Sequence, residues 1–240
     1  MKDKQQYESG KGHPARRGGL LCLNRNDYDA VIFDLDGTLV DSMGMWAEID
    51  VDFLALFGIP CPATLQKELE GLTWPETEQY FIDHFDIPLT VSEIGSKLLQ
   101  MAEERYRDRT PAKDGAVRFV KNLSAHGIKT GLASSNHPGL ITHALDAHGL
   151  VPFFPVITTC GEVAAGKPSP DVFLKTAEKL GASPGRCLVF EDIPKGILAG
   201  KRAGMTVIAV DDAYSKAMEE EKRQLADAYI RSYDEIIWED

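Results

Sequence analysis

Two aspartates two residues apart follow a short apolar run early in the chain. The run Val31–Phe33 contains β-branched and aromatic side chains, as expected for a buried strand of a parallel sheet. Asp34 and Asp36 come next, and Gly37 follows directly. Because side chains two apart in an extended chain point to the same side, both carboxylates are predicted to face one site. Ligands of open α/β sheets bind at this carboxyl edge of the strands.

Further polar groups stand where later predicted strands end or helices begin. They are Ser134, Ser135 and Asn136, then Lys167, then Glu191 and Asp192. Hydroxyls and amides before a helix can hold an anionic oxygen, and paired acids at a strand end suit a hard cation. Each group alone also has an ordinary explanation, such as an ST-turn, a solvated lysine or a polar strand end.

The order of these groups is more specific than any one of them. Asp34 and Asp36, then Ser134, then Lys167, then the acidic pair resemble the four motifs of the haloacid-dehalogenase-like (HAD) superfamily of phosphotransferases. The resemblance runs from about residue 29 to the end of the sequence. Residues 190–192 are followed by small residues at 196, 199 and 203. This pattern resembles that of the HAD branch that includes β-phosphoglucomutase and many small phosphatases.

Helix and strand patterns alternate from residue 113, and five apolar strand patterns predict an α/β fold with a doubly wound parallel sheet. The preceding stretch has apolar residues at helical spacing and two capping-box sequences, which begin at Thr73 and Thr90. We therefore predict a Rossmann-like HAD core at 27–41 plus 111–240, with a helical cap domain at 42–110 inserted into it.

Composition restricts the partners and the compartment. The net charge of −11 argues against nucleic acid and anionic membranes as partners. No apolar run approaches the ~18 residues that a membrane span needs. The four cysteines are scattered, which favours reduced thiols in the cytoplasm. Residues 1–26 are polar except for an apolar island at Leu20–Leu23, and we predict a disordered or poorly ordered tail there.

The resemblance to HAD enzymes implies a role for each motif residue. Asp34 is expected to be the nucleophile that forms an aspartyl-phosphate, and Asp36 the general acid. Ser134 and Lys167 are expected to hold the phosphoryl oxygens, Lys167 also as a catalytic charge. The amide of Ser135 and the side chain of Asn136 are expected to be additional phosphate donors. Thr38 is expected to orient Asp34 or Asp36.

The same resemblance implies Mg²⁺ as the cofactor. Its expected ligands are Asp34, Asp192 and the backbone carbonyl of Asp36, with Glu191 acting through water. Oxygen ligands with retained waters are what Mg²⁺ prefers. The metal would screen the approach of one anion to another.

Substrate choice is expected to come from the cap. The residues predicted to face the site are Trp46, Glu70, Gly71, Thr73 and Trp74, although Trp46 could equally pack in the core. The stretch 71–76 carries none of the basic residues with which β-phosphoglucomutases grip a second phosphate. Hydrolysis by water is therefore favoured over transfer within a bisphosphate.

The sequence thus predicts a Mg²⁺-dependent phosphatase of a small phosphorylated metabolite, such as a sugar phosphate. A phosphosugar mutase of the β-phosphoglucomutase type is the first alternative, and a catalytically idle HAD-like binding module is the second. The partner is a small molecule, and the resemblance implies a monomer, with a dimer as the alternative.

Overall fold

The computed structural model describes residues 14–70 and 72–239, which contain nine strands and nine α-helices. The strands are β1 Ala15–Arg17, β2 Leu20–Asn24, β3 Ala30–Phe33, β4 Lys129–Ser134, β5 Val156–Thr159, β6 Cys187–Glu191, β7 Thr206–Val210, β8 Ala228–Ile230 and β9 Ile236–Glu239. The helices are α1 Met43–Ala55, α2 Leu65–Leu69, α3 Trp74–His84, α4 Val91–Arg109, α5 Ala116–Ala125, α6 Pro138–Ala147, α7 Asp171–Leu180, α8 Pro194–Arg202 and α9 Glu219–Leu225. None of the helices in these two ranges has the length and hydropathy needed to cross a membrane.

The main sheet has six parallel strands in the order β5-β4-β3-β6-β7-β8. The predicted parallel α/β fold is therefore confirmed, and the five predicted strands all lie in this sheet. The sixth, β8, has only three residues and was not predicted. The strand order reverses between β3 and β6, where Phe33 pairs with Phe190. Such a reversal opens a crevice at the carboxyl ends of the two strands, where ligands of this fold class bind.

Helices cover both faces of the sheet, which explains why its central strand is apolar throughout. Val31 and Phe33 belong to one apolar cluster, and Ala30 and Ile32 belong to the other. All four side chains are fully buried. Successive residues of a strand point to opposite faces, so a strand buried on both sides must be apolar at every position. This rigid centre fixes the position of Asp34, the next residue along the chain.

Five helices, α1 to α5, lie between β3 and β4 in the sequence, and the first four fall within the predicted cap range 42–110. The predicted capping boxes at Thr73 and Thr90 are both present and begin α3 and α4. The short helix α2 was not predicted. Helix α4 contacts α1, α3 and the core helix α6. The division of the chain into a core domain and a cap domain stays a prediction, because buried residues of these helices share one apolar cluster with Phe33.

The predicted disordered tail is wrong for residues 14–26. Strand β2 pairs with β1 in antiparallel fashion and with β9 in parallel, which makes a second sheet of three strands. Leu21 and Leu23 are each only 1% exposed and pack in the main apolar cluster. The partner of the Leu20–Leu23 island is β9, near residue 236, so no pattern in the neighbouring sequence indicates that the island forms a strand. Residues 1–13 lie outside the described part.

Candidate active site

The candidate active site lies where the carboxyl ends of β3, β4 and β6 meet. The amide of Asp34, which follows β3, donates to the carbonyl of Phe190 in β6 at 3.0 Å. Ser134 ends β4 and Glu191 ends β6, so three strands deliver polar side chains to one edge. A cavity of about 180 Å³ opens there. Its lining includes Asp34, Asp36, Ser134, Ser135, Asn136, Lys167, Glu191 and Asp192 from the core, and Trp46, Asp50, Gln66, Glu70 and Trp74 from the helical insertion.

Lys167 joins two of these carboxylates by buried ion pairs. Its Nζ lies 2.6 Å from Oδ1 of Asp34 and 2.7 Å from Oε1 of Glu191, and its side chain is 3% exposed. Burial alone would lower the pKa of Lys167, but the two carboxylates reverse this and hold it above its ordinary value. Burial raises the pKa of Asp34 to about 7, against the lowering effect of Lys167. The structure places the Lys167 side chain in the site between Asp34 and Glu191, whereas its catalytic and phosphate-binding role stays a prediction.

Glu191 positions Lys167 and the chain that leads into α8. Its Oε2 accepts hydrogen bonds from the backbone amides of Asp192 at 2.8 Å and Ile193 at 3.0 Å. Both oxygens of Glu191 are thus occupied by protein donors. The structure shows Glu191 in a positioning role, and its contact to a metal through water stays a prediction. A Cβ added at Gly196 would lie 1.7 Å from Oε1 of Glu191, so a glycine there makes room for this carboxylate.

Asp192 is held differently from Glu191. The hydroxyl of Thr38 donates to Oδ1 of Asp192 at 3.1 Å, so Thr38 orients this residue rather than Asp34 or Asp36 as predicted. Oδ2 of Asp192 is buried and has no hydrogen-bond partner among the described residues. Burial raises the pKa of Asp192, and the negative charges of Glu191 and Asp34 raise it further. A cation beside Asp34 and Asp192 would compensate both features.

The donor set of the predicted magnesium site fits this geometry only in part. In the described ranges no three His, Cys, Asp or Glu side chains form a group that could hold a metal ion. The predicted site needs only two such side chains, because Asp34 and Asp192 supply two carboxylates and Asp36 supplies a backbone carbonyl. Mg²⁺ is commonly held by one or two carboxylates and completes its shell with water and substrate oxygens.

The predicted phosphate donors lie together at the carboxyl end of β4. Ser134 is buried, and its hydroxyl oxygen accepts from the amide of Asn136 at 3.1 Å. The side chain of Asn136 donates to Oδ2 of Asp36 at 2.8 Å. The hydroxyl of Ser135 donates to the sulfur of Cys160 at 3.3 Å. Ser134, Ser135 and Asn136 all line the cavity, whereas the phosphate-binding role of each stays a prediction.

Side chains of the helical insertion donate hydrogen bonds to Asp36. The sequence did not predict these contacts. Its Oδ1 accepts from Ser42 at 2.5 Å, from the indole of Trp46 at 3.3 Å and from the hydroxyl of Tyr106. Tyr106, in α4, is 1% exposed, and its hydroxyl accepts from Asn136 at 2.8 Å. Burial and the Asp36 carboxylate raise the pKa of Tyr106 well above its ordinary value, so the phenol stays protonated as a donor.

Three of the predicted cap residues line the cavity, namely Trp46, Glu70 and Trp74. The two indole rings lie edge to face at 6.1 Å. The prediction for Thr73 is wrong, because it does not line the cavity. Its amide and hydroxyl both donate to Glu76 and close the capping box of α3. Gly71, also predicted to face the site, lies outside the described residues.

Comparison with known proteins agrees with this architecture. A family model described as haloacid dehalogenase-like hydrolase matches residues 28–204. The chain belongs to the haloacid dehalogenase-like hydrolase family. The matched range contains all four HAD motifs identified in the sequence and the helical insertion between the first two. The resemblance stated from the motifs alone is therefore confirmed.

Several curated HAD relatives are named as phosphatases. A bifunctional riboflavin kinase/FMN phosphatase of Arabidopsis thaliana is 34% identical over 75% of this chain and 48% of its own length, so the chain spans about half of that protein. A (DL)-glycerol-3-phosphatase of the same plant is 30% identical over 80% of this chain and 83% of its own. The validoxylamine A 7'-phosphate phosphatase of Streptomyces hygroscopicus subsp. limoneus is 26% identical, covering 88% and 97%.

Solved HAD structures share the fold. The crystal structure of CbbY from Rhodobacter sphaeroides in complex with phosphate superposes with a TM-score of 0.77 at 22% identity, covering 85% of this chain and 94% of its own. A β-phosphoglucomutase from Clostridium difficile gives a TM-score of 0.72 at 22% identity, covering 85% and 91%. At this identity the likeness establishes the fold alone.

Proposed function

We propose that this chain is a Mg²⁺-dependent phosphatase that hydrolyses a small phosphomonoester through an aspartyl-phosphate on Asp34. One observation carries the proposal. A buried lysine binds one oxygen of Asp34 at 2.6 Å in a cavity that also contains the Ser134 hydroxyl. A carboxylate beside a fixed cation and polar donors is suited to attack a phosphoryl group whose charge the same donors stabilise.

The reaction has two steps, and each uses groups on the chain. In the first, an Asp34 carboxylate oxygen bonds to phosphorus while the bond to the ester oxygen breaks, and Asp36 protonates the departing alkoxide. In the second, Asp36 takes a proton from water, the water oxygen bonds to phosphorus, and the acyl-phosphate bond to Asp34 breaks. The sum is one ester and one water giving one alcohol and one phosphate.

Lys167 has two tasks in this scheme. It holds Asp34 in place through the ion pair, and its positive charge opposes the negative charge that builds on the phosphoryl oxygens. Glu191 keeps the ammonium group aimed at the site, since it accepts at 2.7 Å. The Ser134 hydroxyl and the Asn136 amide line the same cavity and would donate to the phosphoryl oxygens there.

The metal would be held by Asp34, Asp192 and the carbonyl oxygen of Asp36. The unpartnered buried Oδ2 of Asp192 supports this assignment, because such an oxygen is costly unless a cation or a donor approaches it. When bound, Mg²⁺ would screen the repulsion between the carboxylate nucleophile and the phosphate dianion.

The relatives and the size of the cavity support a small alcohol as the leaving group. The curated phosphatases act, by their names, on FMN, glycerol 3-phosphate and validoxylamine A 7'-phosphate. A cavity of about 180 Å³ is smaller than the ~300–1,000 Å³ typical of drug-sized ligands, which favours a metabolite well below FMN in size.

The first test is phosphate release from a panel of monophosphates, with Mg²⁺ and with excess EDTA. We expect release from a few compounds with Mg²⁺ and its loss with EDTA. Disappearance of β-glucose 1-phosphate without free phosphate would support the mutase alternative. An absence of turnover across the panel would support the binding module instead.

A further inference from the structure

A buried carboxyl group lies on the cap side of the cavity, outside the reaction proposed above. Asp50 in α1 is 4% exposed and lines the cavity that contains Asp34. It sits between Ile49 and Phe53 on the buried face of the helix, where an apolar residue would pack best. A carboxyl group removed from water lowers stability unless donors or a cation compensate. Packing alone therefore gives no reason for an acid at this position.

The structure gives Asp50 one partner. The side-chain amide of Gln66, in α2, donates to Oδ2 of Asp50, and Gln66 lines the cavity as well. No Lys, Arg or His in the described ranges forms an ion pair with Asp50, and no second side-chain donor in them reaches it. Burial raises the pKa of Asp50 to about 7, with Gln66 opposing this. One oxygen of the carboxyl group is thus left for a donor that enters the cavity.

The charges on this side of the cavity select against anions. Glu70, partly buried, also lines it. Among the described lining residues Lys167 is the one cation, and it is paired with Asp34 and Glu191. Lys195 donates to the backbone carbonyl of Glu70 at 2.6 Å and is not part of the lining. A second phosphate or a carboxylate on the substrate would meet two acids and no free cation here.

We propose that Asp50 and Gln66 form a substrate-selecting subsite that binds hydroxyl groups of an uncharged polyol or sugar leaving group. The carboxyl of Asp50 accepts from a substrate hydroxyl, and Gln66 orients that carboxyl and offers its own carbonyl to a neighbouring hydroxyl. The inference rests on the proposed phosphatase function and adds the substrate class to it. A monophosphate whose remote end carries hydroxyls is favoured over a bisphosphate, a phosphorylated carboxylic acid or a phosphate without hydroxyls.

The test compares four proteins on two kinds of substrate. The proteins are the wild type, Asp50→Asn, Gln66→Leu and Glu48→Gln, the last being a control at an exposed acid of the same helix. The substrates are ribose 5-phosphate, glucose 6-phosphate and glycerol 3-phosphate as polyol esters, and p-nitrophenyl phosphate as an ester without hydroxyls. The measured quantity is kcat/KM from phosphate release, with thermal unfolding as the check on folding.

We expect Asp50→Asn to lower kcat/KM for the best polyol ester by about tenfold or more, mainly through KM, since an amide replaces the carboxyl that accepts from the substrate hydroxyl. Hydrolysis of p-nitrophenyl phosphate should change by less than about threefold, because that ester makes no such bond. Gln66→Leu should also lower the ratio of kcat/KM for the polyol ester to kcat/KM for p-nitrophenyl phosphate. Glu48→Gln should leave this ratio unchanged. In Asp50→Asn and Gln66→Leu, kcat/KM for fructose 1,6-bisphosphate should rise relative to kcat/KM for the polyol esters.

Equal losses on both kinds of substrate in Asp50→Asn and Gln66→Leu would overturn the subsite, and so would an unchanged ratio. If Asp50→Asn does not fold, Gln66→Leu decides by the same ratio. A wild-type protein that releases phosphate from none of the compounds with Mg²⁺ would overturn the proposed function, and the subsite would fall with it. A wild type that turns over p-nitrophenyl phosphate but prefers the bisphosphate would contradict the subsite alone.

Discussion

Buried acids at the two ends of the cavity have different partners. We call the end lined by Asp34 and Glu191 the core end, and the end lined by Asp50 and Gln66 the cap end. At the core end, Asp34 and Glu191 share the ammonium group of Lys167 at 2.6 and 2.7 Å. At the cap end, Asp50 is buried to a similar extent, but among the described side chains the amide of Gln66 is its one hydrogen-bond partner. The core end is therefore organised to stabilise a fixed pattern of charge, whereas the cap end keeps an acceptor for a neutral donor.

We therefore assign the reaction to the core end and the choice of substrate to the cap end. The charged groups of the core end are held by strands of a rigid sheet, which suits a reaction that needs fixed positions. The groups of the cap end are on helices α1 and α2, outside the sheet. Side chains of the helical insertion connect the ends, since Trp46 in α1 and Tyr106 in α4 both donate to the Asp36 carboxylate.

The largest expected effect is at the core end. Asp34→Asn should lower kcat/KM at least about a thousandfold, because an amide cannot serve as the nucleophile. The measurement is phosphate release from the best substrate of the panel. The matched control is Asp29→Asn, at the opposite end of β3, where the acid pairs with Arg186 near the surface. Activity within tenfold of the wild type in Asp34→Asn would mean that the nucleophile lies elsewhere.

The next effect concerns stability at the cap end. Burial raises the pKa of Asp50 to about 7, so the folded chain holds this proton more tightly than the unfolded chain does. The contribution of Asp50 to the free energy of unfolding is therefore full at low pH and is lost as pH rises towards 7. An asparagine has no such proton. As the pH rises from about 5 to about 8, the free energy of unfolding of Asp50→Asn should increase by up to about 3 kcal/mol relative to that of the wild type.

Urea unfolding at several pH values measures this difference, and Glu48→Gln is the control because Glu48 is exposed. A stability difference between Asp50→Asn and the wild type that does not change with pH would show that Asp50 is ionised normally. The cap end would then hold a compensated acid like the core end, and the contrast between the two ends would disappear.

A smaller effect is expected at the connection between the ends. Tyr106→Phe removes the hydroxyl that donates to Asp36 and should lower kcat by about tenfold with little change in KM, since Asp36 loses a positioning contact. Tyr80→Phe is the control, because its hydroxyl donates to Glu68 on the surface of the insertion. A change in KM alone would place Tyr106 in substrate binding rather than in the orientation of Asp36.

The smallest expected effect tests how tightly the core end is built. In Gly196→Ala the new methyl group would overlap Oε1 of Glu191 and push it from Lys167. We expect the free energy of unfolding to fall by about 1–2 kcal/mol, as for other overpacked sites. Gly185→Ala is the control, since an added Cβ there meets no atom within 4 Å. Equal stability of the two variants in urea would show that Glu191 can move freely.

The core end was predictable from the sequence because each of its residues directly follows an apolar strand or precedes a helix. Parallel strands bring such positions to one edge, so Asp34, Ser134 and Glu191 could be placed together without a structure. What could not be predicted was the pattern of bonds between them. Thr38 orients Asp192, and Glu191 holds Lys167, because side-chain pairing depends on distances that sequence spacing does not contain.

The cap end was less predictable because the faces of helices are turned by tertiary packing. Asp50 did leave a signal, as an acid inside the apolar stripe formed by Ile49, Phe53 and their neighbours. Tyr106 continues a stripe of buried residues at four-residue spacing from Ile94, so its burial could be predicted but not its contact with Asp36. The β2–β9 pair joins opposite ends of the chain, and no local pattern predicts such a contact.

The central claim is that the core end forms a covalent phosphoryl intermediate on Asp34. The most direct measurement is mass spectrometry of the protein mixed with its best substrate and Mg²⁺, then quenched in acid within one turnover. We predict an added mass of one phosphoryl group on the peptide that contains Asp34, absent from Asp34→Asn. Full turnover without any phosphoryl adduct, or an adduct on another peptide, would contradict the account.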